Sequence, residues 1–94
     1  MKPAQAETLA LQALAWIAED EDRLLRLLAE TGLGLDELRE RAGDPAFLGG
    51  VLDFLLGDEA MLLAFAAEAD IAPTLPARAR HSLPGGTPGD RGAA

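Results

Sequence analysis

The chain has 94 residues and a formal net charge of −8, and 49% of its residues are apolar. This length allows one small domain, and the balance of apolar and charged residues excludes a disordered chain. Because the sequence contains no cysteine, disulfides and thiolate metal ligands are excluded as well. Leu and Ala dominate the apolar residues, which favours an all-α fold because both are strong helix formers.

The first predicted helix covers residues 3–19. Apolar residues recur there at steps of three and four, which is typical of an amphipathic helix with one buried face. This face comprises Ala6, Leu9, Ala10, Ala13, Leu14 and Ile17. Glu7 and Gln12 interrupt the apolar run, so we do not expect a secretory signal peptide.

Two further helices are predicted between Asp20 and Gly43. Asp20 is a suitable N-cap, and Gly32 is suited to the left-handed residue that ends the second helix. Residues 36–42 form a short third helix, which Gly43 closes. The expected buried face of the second helix comprises Leu24, Leu25 and Leu28.

The fourth helix has the clearest start signal in the chain. Asp44 can cap it, Pro45 fits its first position, and Gly57 ends it. Two apolar rows at four-residue steps predict an unusually wide buried face. The rows comprise Phe47, Val51 and Leu55, and Leu48, Leu52 and Leu56.

The fifth helix follows at once, with Asp58 as its N-cap. Residues 60–67 are apolar on every side of this helix. We therefore expect the helix to be enclosed by its neighbours or covered by a partner, because an open apolar belt of that size promotes aggregation.

A short sixth helix is predicted near the C-terminal end. Pro73 or Pro76 fits its opening turn, and Arg78 and Arg80 favour its last turn. Residues 84–94 are rich in proline and glycine, so we expect a disordered tail.

The turn after the second helix resembles a nucleic-acid-binding motif. Gly32, Leu33 and Gly34 match the glycine-hydrophobic-glycine turn of the helix-hairpin-helix, which offers backbone amides to a phosphate. Asp36 and Glu37 follow, where that motif usually has basic residues. Because carboxylates repel phosphate, a plain glycine-terminated turn is the favoured interpretation.

Residues suited to catalysis are scarce. The chain has one histidine, His81, no cysteine and a single lysine, so a nucleophile with a matched base is not expected. The acidic run of residues 19–22 lacks the alternating oxygen ligands of a calcium loop and is typical of a capped helix start. We expect no enzymatic activity, no cofactor and no metal.

The fourth and fifth helices are the candidate site of a protein interface. The favoured outcome is that the fifth helix is fully buried within one chain and the fourth packs both its rows onto it; otherwise the two helices expose a patch that a second chain covers. The candidate interface residues are Val51, Phe54, Leu55, Met61 and Phe65. Asp53 interrupts the apolar run of the fourth helix, and either a solvent-facing position or a buried or partner-facing carboxylate would explain it.

The order of the segments "LALQALAWIAEDEDRLLRLLAETGLGLDELR" and "DPAFLGGVLDFLLGDEAMLLAFAAEADIAP" resembles a small bacterial family of unknown function, the one numbered 3572, typical of alphaproteobacteria. The resemblance covers residues 4–83, and its most specific parts are "GVLDFLLGDE" and "LLAFAAEA". Membership implies no particular activity.

These observations predict a single all-α domain over residues 1–83, a compact orthogonal bundle of five or six short helices. The favoured function is a non-enzymatic protein-interaction or adaptor module that binds another protein or a second copy of itself. The alternative is a degenerate helix-hairpin-helix module that binds nucleic acid through Gly32, Leu33 and Gly34. The expected location is the cytoplasm, since no apolar run is long enough to cross a membrane.

Overall fold

The computed structural model describes residues 1–84, which form a compact bundle of α-helices without a strand in that range. The helices are α1 (Pro3–Ala18), α2 (Glu21–Thr31), α3 (Leu35–Arg41), α4 (Pro45–Leu56), α5 (Glu59–Ala69) and α6 (Leu75–His81). The all-α prediction is confirmed. Residues 85–94 of the predicted tail lie outside the described residues.

Local capping sets the helix starts that the sequence predicted. The carboxylates of Asp20, Asp44 and Asp58 each accept a hydrogen bond of 3.0–3.1 Å from a backbone amide in the first turn of α2, α4 and α5. Each cap satisfies an amide that has no partner inside its helix. Gly32 ends α2 with a left-handed φ of 73°, a conformation that glycine adopts without steric cost.

The centre of the bundle is α4, which packs against α1, α2, α5 and α6. Both predicted rows of α4 contribute to the core, with four side chains buried and one half-buried side chain at an end of each row. The buried four are Leu48, Val51, Leu52 and Leu55. One glycine of the same helix, Gly49, is buried with them.

Of the two outcomes expected for α5, enclosure by neighbouring helices of the same chain is wrong. This helix packs mainly on α4 and buries Met61, Phe65 and Ala66, while its opposite face is open. Leu63 on that face is 47% exposed. Helix α4 occupies the enclosed position instead, because two full rows of large side chains need neighbours on more than one side.

The predicted face of α1 is confirmed, but that of α2 is partly wrong. All six apolar residues predicted for α1 are buried. In α2 the buried side chain is Leu27, Leu24 and Leu28 are half-buried, and Leu25 is 54% exposed. Leu24, Leu27 and Leu28 recur at steps of three and four, so the inward face is rotated by part of a turn from the one predicted.

A buried arginine holds α6 and the residues that follow it against α4. Arg80 of α6 is 6% exposed, and its Nε donates to the Asp53 carboxylate of α4 at 2.7 Å. Its Nη1 donates to the carbonyl oxygens of Leu83 and Pro84, each at 3.3 Å. The guanidinium lies against Gly49, where a Cβ atom would come within 3.0 Å of Nη1. The chain therefore stays anchored beyond α6, as far as Pro84.

Candidate protein-binding groove

An apolar groove of about 440 Å³ opens between α1, α2 and α3. We call it the leucine groove. It is lined by Leu11, Leu14, Ala15, Ala18, Leu24, Leu35, Leu38, Arg39 and Ala42. Its size lies within the range of about 300–1,000 Å³ that is usual for ligand sites, although it is an open surface groove.

The weak anchoring of α3 explains why the groove stays open. This helix has seven residues, and Leu38 is its one buried side chain. Leu35 of α3 and Leu11 of α1 are each 43% exposed. Both side chains line the same groove, which sets them apart from isolated exposed leucines, which are common on any protein surface.

A second groove, of about 500 Å³, lies between α1, α2 and α5 and is more polar. Its charged groups largely satisfy one another. Arg23 stacks 3.7 Å from the centre of the Trp16 ring and lies 3.3 Å from the Asp20 carboxylate. Arg26 donates to Asp58 at 2.9 Å. Because both arginines already have partners, this groove is a poor candidate for binding an anion.

Asp58 is the titratable group that this arrangement perturbs. The hydrogen bond from Arg26, followed by that from the Met61 amide, holds the pKa of the Asp58 carboxyl below its ordinary value. Both donors stabilise the ionised form, which also caps α5. The lowered pKa of Asp58 therefore reflects the contact between α2 and α5. The residues that line the groove around Asp58 include no nucleophile.

The family model of proteins of unknown function, DUF3572, matches residues 3–86. The chain belongs to this family. The match begins at the first residue of α1 and continues past α6, so it covers all six helices. The resemblance predicted from the sequence is thereby confirmed.

No curated protein and no solved structure matches this DUF3572 chain significantly. Within residues 1–84, no group of three or more His, Asp or Glu side chains is placed to hold a metal ion. No helix in the same range is long and apolar enough to span a membrane.

The residues that the sequence proposed as an interface lie mainly in the core of the DUF3572 domain. Val51, Leu55, Met61 and Phe65 are buried, with exposed fractions of 0–6%. Phe54 is half-buried, and the Arg26 guanidinium lies 5.9 Å from its ring centre. These four buried side chains hold α4 and α5 in the bundle, so they do not form an open surface in the isolated chain.

The predicted phosphate-contact turn is folded as a helix-helix connection. Gly32 donates its amide to the Leu28 carbonyl at 2.8 Å. The amide of Leu33 donates to Thr31 Oγ1 at 3.4 Å, and that of Gly34 to Glu37 Oε1 at 3.0 Å. All three amides that would face a phosphate therefore already have acceptors within the chain.

Sequence reasoning missed the two exposed leucines of the leucine groove. A signal existed for Leu11, because this residue with Ala15 and Ala18 forms a second apolar row beside the buried face of α1. Leu35 carried no comparable signal. Its exposure depends on how α3 packs against α1, which is a long-range property of the fold.

Proposed function

We propose that this DUF3572 domain is a non-enzymatic protein-interaction module and that the leucine groove is its binding surface. The observation that carries the proposal is the pairing of Leu11 with Leu35 in one open concavity of an acidic protein. Apolar side chains gathered in a groove are typical of surfaces that another protein covers.

The chemistry of the groove supports binding rather than catalysis. Its lining consists of leucine and alanine side chains together with one cation, Arg39. Such a lining provides apolar contact area, but it provides neither a nucleophile nor a proton-transfer pair. The histidine of the chain, His81, is exposed at the end of α6 and does not line the groove.

The helix-hairpin-helix alternative has less support. The amide of Gly34 is bound to the side chain of Glu37, so a phosphate would have to displace a carboxylate of the same turn. Asp36 lies beside it with 94% of its side chain exposed. Both acids oppose the approach of a nucleic acid.

The cytoplasmic location stays a prediction.

A comparison of three baits tests the proposal. The tagged full-length chain, Leu35→Glu and Leu63→Glu are each used to capture proteins from a lysate of the source cells, followed by quantitative mass spectrometry. Leu63 is the matched control, because it is a similarly exposed leucine on α5, outside the leucine groove. We expect one or more proteins to be retained by the wild type and by Leu63→Glu but lost with Leu35→Glu.

Circular dichroism and urea unfolding of each bait would show that the helices are intact. A capture profile that is identical for the wild type and Leu35→Glu would contradict the proposal, because the groove would then contribute nothing to binding. Loss of the same proteins with Leu63→Glu alone would place the binding surface on α5 instead.

A further inference from the structure

A third groove, of about 410 Å³, lies between α1 and α6, which pack against each other. We call it the amide groove. It is lined by Met1, Gln5, Thr8, Leu9, Gln12, Ile71, Leu75 and Arg78. The hydroxyl of Ser82 donates to the Met1 carbonyl oxygen at 2.7 Å, which joins the end of α6 to the start of α1. The two walls of the groove are therefore fixed relative to each other.

The α1 wall of the amide groove offers hydrogen-bond donors. Gln5, Thr8 and Gln12 recur at steps of three and four residues, so they lie on one face of α1. Each glutamine amide has two N–H donors. The oxygen of Gln5 accepts from the Lys2 backbone amide at 3.1 Å, which leaves its nitrogen available. The side chain of Gln12 forms no hydrogen bond with the described part of the chain.

The α6 wall carries a cation without a partner in residues 1–84. Arg78 is exposed and takes part in none of the ion pairs of that range. None of the described residues that line the groove is acidic. Glu7 and Asp70 adjoin lining residues in the sequence, but neither lines the groove. The amide groove therefore presents a guanidinium that is free to bind an anion, unlike the groove between α1, α2 and α5.

The base of the amide groove is apolar. Leu9 of α1 is 6% exposed and lies deepest among the lining residues. Ile71 and Leu75 are half-buried, so each keeps apolar surface that a ligand can cover. An apolar chain placed along these side chains would remove that surface from water. The volume of the groove lies within the range of about 300–1,000 Å³ that is usual for ligand sites.

We infer that the amide groove binds an organic monocarboxylate with an apolar chain. The carboxylate pairs with Arg78, since a guanidinium and a carboxylate match as a bidentate pair. The apolar chain lies on the base of the groove, and the amides of Gln5 and Gln12 supply further donors. One unpaired cation balances one negative charge. This favours a carboxylate over a phosphate monoester, which carries nearly two negative charges, on a chain of net charge −8.

The carboxylate can belong to a free carboxylic acid or to the C-terminus of a peptide, because the groove recognises the same group in both. This site is separate from the leucine groove, with which it shares no lining residue. Capture experiments on Leu35 and binding experiments on the amide groove therefore succeed or fail independently.

Titrations of the isotope-labelled full-length chain, followed by backbone amide chemical shifts, test the inference. The small probes are octanoate, the uncharged octanol, and acetate, which lacks the apolar chain. We expect octanoate to bind about fivefold or more tightly than either of the others, because it alone has both the charge and the chain. The shifts should be concentrated in α1 and α6. A short peptide that ends in leucine, with a free C-terminal carboxylate or with a C-terminal amide, tests the second source.

Variants assign the binding to the groove. Arg78→Gln should weaken octanoate binding about fivefold or more, because it removes the charge from the site. Arg41→Gln is the matched control, an exposed arginine of α3 without an ion pair among the described residues. Gln12→Glu adds a carboxylate to the groove and should also weaken binding. Ala67→Glu adds the same charge at an exposed position of α5 outside the groove and should change binding less than about twofold.

The outcomes separate the parts of the inference. Equal affinity for octanoate and octanol would overturn the carboxylate, and octanoate binding that is unchanged by Arg78→Gln would overturn the assignment to the amide groove. Binding of the free-acid peptide alone, with loss on Arg78→Gln, would support the site with a peptide C-terminus as its source. Binding of octanoate but of neither peptide, with the same loss, would support a free carboxylic acid. No binding of either carboxylate probe up to about 1 mM would overturn the inference.

Discussion

Arg80 and Asp53 are joined by a 2.7 Å hydrogen bond between the guanidinium Nε and the carboxylate Oδ1, although 26 residues separate them in the sequence. The arginine side chain is 7% exposed and the carboxylate 55% exposed. The pair therefore connects the interior of the bundle to its surface. Asp53 interrupts the apolar run of α4 because the buried cation of α6 requires an anion there.

The first prediction concerns this pair. Asp53→Asn should lower the free energy of unfolding by about 1–3 kcal/mol, because a charge-assisted hydrogen bond to a buried arginine is lost. Urea unfolding measures the change, and Glu30→Gln is the control, an exposed acid without an ion pair among the described residues. The control should stay within about 0.5 kcal/mol of wild type. Equal stability of the two variants would contradict a structural role for the pair.

The second prediction uses two adjacent glycines of α4. A Cβ atom at position 49 would lie 2.9 Å from the Pro84 carbonyl oxygen and 3.0 Å from Arg80 Nη1, whereas one at position 50 meets nothing within 4 Å. Gly49→Ala should destabilise the protein by about 1–3 kcal/mol through overpacking. Gly50→Ala should stabilise it by about 0.5–1 kcal/mol, because alanine is the better helix former.

Thermal and urea unfolding of the two alanine variants check this contrast. Both substitutions add one methyl group to neighbouring positions of one helix, so any difference arises from the surroundings. A Gly49→Ala variant as stable as Gly50→Ala would show that the segment after α6 does not lie against α4.

The local signals of the sequence predicted the helix ends well, because caps depend on adjacent residues. Asp20, Asp44 and Asp58 each precede a helix whose first turn supplies the donor. Gly32 follows α2 because a left-handed residue ends a helix. Three predicted ends differ from the structure by one residue: α1 ends at Ala18 rather than at residue 19, and α3 covers Leu35–Arg41 rather than residues 36–42.

The packing arrangement of the helices could not be predicted from local sequence signals. Both α4 and α5 are apolar enough to be central, and spacing along one helix does not identify its neighbours. The guanidinium of Arg80 lies where a side chain at position 49 would be, so its burial depends on Gly49. The residues next to Arg80 in the sequence do not indicate this contact. Likewise, residues of α1, α2 and α3 line the leucine groove together, so the candidate site depends on tertiary packing.

The third prediction concerns the turn after α2. Gly32 has a left-handed φ of 73°, and Gly43 is not in that region. Gly32→Ala should therefore cost about 1–2 kcal/mol of stability, while Gly43→Ala should be neutral or slightly stabilising because it restricts the unfolded chain. Paired urea titrations would measure both, and a neutral Gly32→Ala would be incompatible with the left-handed end of α2.

The fourth prediction addresses nucleic acid. Because the amides of Gly32, Leu33 and Gly34 are already hydrogen-bonded and Asp36 and Glu37 adjoin them, the chain should not bind phosphate backbones. A gel-shift titration with duplex and single-stranded DNA at low salt should show no complex up to about 0.1 mM protein. A complex at micromolar protein that weakens steeply with added salt would favour the helix-hairpin-helix alternative.

The last prediction concerns pH and the junction of α2 with α5. The hydrogen bonds from Arg26 and the Met61 amide lower the pKa of Asp58 in the folded protein. A lowered folded pKa means that the stabilisation is present above the unfolded value of about 4 and is lost as pH falls through the folded value. Asp58→Asn should therefore be less stable than wild type at pH 7, and the difference should shrink as pH falls below about 5.

Asparagine caps a helix about as well as aspartate, so this variant removes the charge while keeping the cap of α5. Urea midpoints for both proteins between pH 7 and pH 3 would measure the difference. Arg26→Gln should reduce the same pH-dependent part, because it removes the donor of the 2.9 Å bond. Arg41→Gln removes an equal charge from α3 and should leave that part unchanged. A gap between wild type and Asp58→Asn that stays constant over this range would show that the carboxylate's charge does not stabilise the junction.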